Sequence, residues 1–344
     1  MRTLKVFLLI SLVLVFAFSF SAFAGEKRLV LYGSPAEKWV ALVAHEFEKA
    51  TGIPVDWTRR SSGETLAKIK AEMNNPQGDV WFGGTLDPHY EAALEGLLQP
   101  YPQSPMIPEL RDWAKNPAIA YMVKGLYAGP LGWGVNVELL KSKGIPVPKV
   151  WEDLTKPCYK GLIGMANPNT SGTAFTTLST ILQLMGWDKG WDYLKKLHKN
   201  IAVYTKSGAA SGPMAGKGEI AISIIFLHDV VKFAEQGYPI VPIPPADGTG
   251  YEIGGLSIIN WCPHPQIAKQ FVDFVLRPDI QALAPKAESY QLPSNKKAPL
   301  PAVIKKYGVS FDDVKLIKYD FKWAGEHRKE IVDKWTKEVY SLPR

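Results

Sequence analysis

Between residues 28 and 100 short apolar runs alternate with stretches whose apolar residues recur at helical spacing. RLVLY at 28–32, VDWT at 55–58 and DVWF at 79–82 read as strands. Between them Trp39, Val40, Leu42, Val43 and Phe47, and then Leu66, Ile69 and Met73, mark two helices. Ser34, Pro35 and Glu37 spell a helix start, Gly52 a stop, and Ser61 with Glu64 a capping box. Strict alternation of strand and helix predicts a parallel sheet covered by helices.

LYAGPLGWGVN at 126–136 breaks this rhythm and reads as a crossing into a second domain. There a strand at 162–165 leads through NTSGTAF into a helix carrying Leu178, Ile181, Leu182 and Met185, with Gly186 as its end. EIAISIIF at 219–226 is apolar almost throughout, as expected of a strand buried on both faces, and it runs into His228 and Asp229. A short helix to Gly237, a proline-rich strand at 240–245 and a glycine-rich return crossing at 250–255 follow. Residues 265–276 and 311–340 read as helical and architectural. The expectation is an α/β protein of two lobes, each a mostly parallel sheet flanked by helices, joined by two hinge crossings. Residues 25–127 with 256–310 form one lobe and 128–255 the other, with C-terminal helices at 311–344.

About 320 residues behind the leader described next are more than one core usually serves, which agrees with two domains. The chain opens with Arg2 and Lys5, an apolar run of about sixteen residues and Ala22-Phe23-Ala24, the pattern of an export signal cut after Ala24. No later stretch is long and apolar enough to span a membrane, so the expectation is a soluble, exported monomer. The formal charge is +7, of which Arg2 and Lys5 supply two. The remaining basic residues are scattered, which speaks against nucleic acid and suits a small anionic ligand. Cys158 and Cys262 leave pairing open, and with no CxxC or Cys/His cluster there is no zinc signature and no cofactor to expect.

Three strands of the first lobe end in Gly/Ser/Thr loops that hold Ser34, Ser62, Gly63 and Thr85, and Ser171, Gly172 and Thr173 stand where a helix of the second begins. In open α/β sheets ligands sit at that carboxyl edge, and helix N-termini present free amides to anions, although these residues also serve as caps. His228 and Asp229 end a buried strand, with Asp229 also a natural cap for a helix starting at Val230. Glu252 lies on the return crossing; Trp133 and Tyr251 are candidates to stack on a ligand or to fill the core, and Lys206 reads as solvated. No GxSxG elbow, HExxH or catalytic carboxylate pair is present, which argues against an enzyme.

RSSGETLAKIKAEMNNPQGDVWFGGT, YKGLIGMANPNTSGTAF, GKGEIAISI and CPHPQIAKQFVDFVL, in this order, resemble the exported solute-binding proteins of ATP-driven importers, in the branch that includes ferric-ion binders. The resemblance covers residues 28–300. It implies the type II periplasmic-binding fold, a ligand passed to a membrane permease, and no chemistry on that ligand. Ferric binders of the branch continue the strand GEIAISII with a Tyr-Tyr pair; His228 and Asp229 stand there instead, and the loss of two phenolates removes most of a site for a hard trivalent cation. A hexose-phosphate-binding relative resembles this chain in having His-Asp followed some two dozen residues later by Glu. By that resemblance His228, Asp229 and Glu252 would hold the sugar, and Ser171, Gly172 and Thr173 match the family's anion-holding loop; Ser34, Ser62, Gly63 and Thr85, from their place at strand ends, are the further expected phosphate contacts. A phosphonate remains a second ligand of the same kind. A metal ion held by His228, Asp229 and Glu252 remains a further alternative.

Overall fold

The computed structural model describes residues 27–116, 119 and 121–344; the expected leader, 1–24, lies outside them. In the first lobe β1 (Leu29–Gly33), α1 (Glu37–Thr51), β2 (Val55–Arg59), α2 (Ser62–Ala71), β3 (Val80–Thr85) and α3 (Leu86–Leu94) follow one another, with the short β4 (Leu98–Gln99) behind them. β1 pairs in parallel with both β2 and β3, as the alternation predicts.

The chain then enters β5 (Val123–Val135), the strand that joins the lobes. It continues through β6 (Ile163–Ala166), α4 (Gly172–Met185), α5 (Trp187–His198), β7 (Ile201–Thr205), β8 (Ile222–Phe226), α6 (Leu227–Glu235) and β9 (Val241–Ile243). β10 (Tyr251–Ile259), α7 (Pro265–Val275), β11 (Leu292–Pro293) and α8 (Arg328–Trp335) complete the longer elements. The strand order is β2-β1-β3-β10-β5-β8-β6-β7. The sheet is mixed: strands linked by helices pair in parallel, whereas the crossing strands β5 and β10 run antiparallel to their neighbours. Residues 123–130 of β5 pair with β10, and Leu131–Val135 pair with β8, so a single strand serves both lobes.

Each lobe has its own core. Leu31, Val43, Phe47, Phe82 and Phe271 centre the first, and Trp133, Trp151, Phe175, Leu178 and Ile222 the second. Gly52, with φ of 70°, ends α1 as expected, but the start of that helix differs from the sequence reading. Its cap is Ala36, and Ser34 instead accepts the Trp81 indole N–H at 3.1 Å and meets Thr65 Oγ1 at 3.1 Å. A tertiary partner has displaced the local cap.

The helix expected over 311–340 is confined to 321–326, α8 and one last turn at 336–340. Residues 315–317 hydrogen-bond to Thr249 in the manner of a strand, which holds the preceding chain extended. Ile331, Trp335 and Val339 then join the second core, while Arg328 reaches back to Glu91 on α3. Cys158 is exposed and Cys262 buried, both as free thiols, which answers the pairing question. Among the described residues no helix is long and apolar enough to cross a membrane.

Candidate functional site

Strand ends from both lobes surround a cavity of about 290 Å³. From the first lobe come Ser34 after β1, Arg59 at the end of β2, Ser61 and Ser62 at the start of α2, and Gly84 and Thr85 at the end of β3. Gly84 has φ of 85°, and a Cβ there would lie 2.7 Å from Ser62 Oγ and 2.8 Å from Ser34 Cβ. Glycine therefore lets the β3 loop press against both serines.

The second lobe supplies Ser171, Gly172 and Thr173 at the N-terminus of α4, and Ser207 and Gly208 behind β7. Ser171 caps α4, its Oγ accepting from Ala174 N at 3.4 Å. The first-turn amides that follow have no acceptor within the helix, so this end carries partial positive charge. Arg59 adds a full charge opposite: its guanidinium is steered by the carbonyls of Pro35 (3.2 Å) and Ser34 (3.4 Å) and reaches Ser207 Oγ at 3.4 Å. Hydroxyls, helix amides and one arginine give this part of the cavity a chemistry that suits an anion.

The rest of the wall is different in chemistry. β8 ends at Phe226 and α6 begins at Leu227, three residues ahead of the start read from the sequence, so His228 and Asp229 occupy the first helical turn. Asp229 is thus not the cap of that helix. His228 Nε2 lies 3.4 Å from Glu252 Oε1 and 3.8 Å from Asp229 Oδ2, and Phe226 stacks on its ring. Burial pushes the His228 imidazole below its usual value, against the opposing pull of Asp229, and pushes the Glu252 carboxyl well above its own, with Asp229 and Asp87 adding repulsion. An imidazole beside two carboxyls offers both donors and acceptors, the set that vicinal hydroxyls require.

Nine of the ten residues singled out from the sequence line this cavity; Gly63 does not. Its amide donates to Thr170 O of the other lobe at 3.0 Å, and a Cβ would meet Asn169 O at 2.6 Å, so Gly63 serves the contact between lobes rather than the cavity. Trp133 is buried edge-on against Trp151, and Tyr251 packs among Phe311, Tyr319 and Phe321; neither lines the cavity. Lys206 is exposed and pairs with Glu64 across the lobes at 2.8 Å.

The sequence reading missed Arg59, Tyr127, Ser207, Lys232 and Gln291, all of which line the cavity. Arg59 shares one face of β2 with Val55 and Trp57, the less exposed positions of that strand. Among the described residues no set of three His, Cys, Asp or Glu side chains is placed to hold a metal ion.

A family model for bacterial extracellular solute-binding proteins matches residues 43–309. The chain belongs to that family. A Haemophilus influenzae protein is 41% identical over 320 residues, covering 91% of this chain and 90% of its own. The periplasmic binding protein AfuA of Actinobacillus pleuropneumoniae, solved with exogenous fructose-6-phosphate bound, is 40% identical with a TM-score of 0.88, over 92% of this chain and 99% of that one. The periplasmic binding protein P5PA is 34% identical with a TM-score of 0.87, over 91% and 100%. This solute-binding protein therefore shares the two-lobed architecture of periplasmic binding proteins, whose work is to bind solutes for transport.

Proposed function

We propose that the protein captures a small phosphorylated organic solute, most simply a hexose phosphate, in the cavity between its lobes and delivers it to the permease of an ATP-driven importer. The observation that carries this reading is the division of one 290 Å³ cavity into an anion-receiving part and a hydroxyl-receiving part. Arg59, Ser62, Thr85, Ser171, Gly172 and Thr173 take the phosphate, with Ser34 at the edge, while His228, Asp229 and Glu252 take the sugar. AfuA, with fructose-6-phosphate in a molecule 40% identical, supports the same assignment. The lobes rotate about β5 and β10 to admit and enclose the ligand, and the bonds from Gly63 to Thr170 and from Lys206 to Glu64 form on closure. The protein works as a monomer in the periplasm, its leader removed after Ala24.

The test is a thermal-shift and calorimetric panel on the purified protein: hexose phosphates, free hexoses, 2-aminoethylphosphonate, iron(III) and divalent cations. A hexose phosphate at a hundredfold its dissociation constant adds about 2.7 kcal/mol by mass action and raises the melting temperature, whereas free hexoses do not. Stabilisation by the phosphonate alone would move the assignment to that ligand, and stabilisation by a metal alone would defeat it.

A further inference from the structure

Behind Thr85 lies Asp87, an acid that is not part of the cavity lining. Asp87 is 1% exposed; its Oδ2 is 3.3 Å from Thr85 Oγ1 and its Oδ1 has no hydrogen-bond partner. Arg328 approaches from the C-terminal segment, but its Nε stands 4.0 Å from Asp87 Oδ2, and the hydrogen bond it makes, from Nη1, goes to Glu91 at 3.0 Å. Glu91 is also held by Lys70 at 2.6 Å. Asp87 is thus buried beside a cation committed to another carboxylate, with Thr85 as its side-chain hydrogen-bond partner.

A threonine hydroxyl owns one hydrogen, and an ionised carboxylate can only accept. With Asp87 ionised, the Thr85 hydrogen points backward and lone pairs face the cavity. We propose that Asp87 is a positioning residue for the anion site: carrying a proton, it donates to Thr85 Oγ1 and so turns the Thr85 hydrogen toward a bound anion. The inference rests on the reading of Thr85 as part of the anion-receiving wall. Burial pushes the Asp87 carboxyl up to about 7, against the opposing pull of Arg328 and with Glu91 adding repulsion. Glu252 on β10 and Tyr319 on the C-terminal segment also feel its charge. An arriving anion favours the protonated form further, so binding takes up a proton at this site and strengthens as the pH falls through neutrality.

The experiment is calorimetric titration with fructose 6-phosphate between about pH 6.5 and about pH 8.5, where the phosphate is mainly a dianion. Asp87→Asn, which can donate to Thr85 at any pH, is expected to bind as the wild type does at the acid end and to lose a large part of its pH slope. Asp87→Leu, which cannot donate, is expected to bind about tenfold more weakly. Because His228 and Glu252 titrate as well, the deciding measurement is the double-mutant cycle: with Thr85→Val already present, Asp87→Leu should cost less than about twofold. An equal cost in both backgrounds, or an unaltered pH slope in Asp87→Asn, overturns the proposal. If fructose 6-phosphate does not bind the wild type, the sugar-phosphate reading fails by itself. The same cycle is then run with inorganic sulfate, read by melting temperature, and a wild type that does not respond to sulfate overturns this inference too.

Discussion

Glu252 shows how much a single side chain depends on the packing around it. An acid whose pKa is raised on folding contributes stability below its ordinary value, here 4.5, and loses it as the pH climbs toward the folded value. Asp87 acts in the same direction, while His228, lowered by burial, loses stability as the pH falls below its ordinary 6.5. The ligand-free protein should therefore become less stable from about pH 5 to about pH 8, and Glu252→Gln should flatten that decline in melting temperature. Equal slopes in wild type and variant would mean that Glu252 is ionised in the fold. The His-Asp-Glu set was legible only through family resemblance, because nothing local brings residue 252 to within 3.4 Å of residue 228. Arg59 was hidden for the opposite reason: arginines at strand ends are common and mostly solvated.

At the scale of elements, α4 and α6 do similar jobs, each delivering its first turn to the cavity. The start of α4 at Gly172 agrees with the sequence, since Ser171 is a strong local cap. α6 starts at Leu227, with Phe226 in the cap position and no side-chain cap bond, so tertiary packing outweighs the local preference for Asp229 as cap. The first turn of α4 is packed so tightly that a Cβ on Gly172 would sit 2.0 Å from Thr85 Oγ1 and 2.9 Å from Ser62 Oγ across the cleft. Gly172→Ala should therefore obstruct closure and weaken ligand binding by about two orders of magnitude, while the melting temperature of the ligand-free protein changes little. Calorimetry and thermal unfolding on the same variant separate the two effects, and wild-type affinity would show that the lobes need not approach this closely.

Across the whole molecule the C-terminal segment is a third connection beside β5 and β10. It contributes Ile331 and Trp335 to the second core and places Arg328 against Glu91 and Asp87 of the first lobe. Arg328 is almost fully buried, and removing one partner of a buried charged pair strands the other. Arg328→Ala should cost about 3 kcal/mol in denaturant unfolding. A loss below about 1 kcal/mol, the range of exposed pairs, would show that the contact is solvated. Reading residues 311–340 as a helical, architectural tail missed this role, because a lone arginine in a polar helix carries no sign of the distant acids that will bury it.

The periodicity of the chain by itself determined the alternating strands and helices, the glycine-rich crossings and the Ser/Gly/Thr loops at strand ends, since these follow from local sterics and from which face of each element avoids water. The tertiary structure alone decided which loops meet across the cleft, that Ser34 serves Trp81 rather than α1, that Gly63 joins the lobes, and that Asp87 and Glu252 lose contact with solvent. Those outcomes depend on contacts between residues far apart in the chain and on the desolvation that closure imposes, and neither is written in any local pattern.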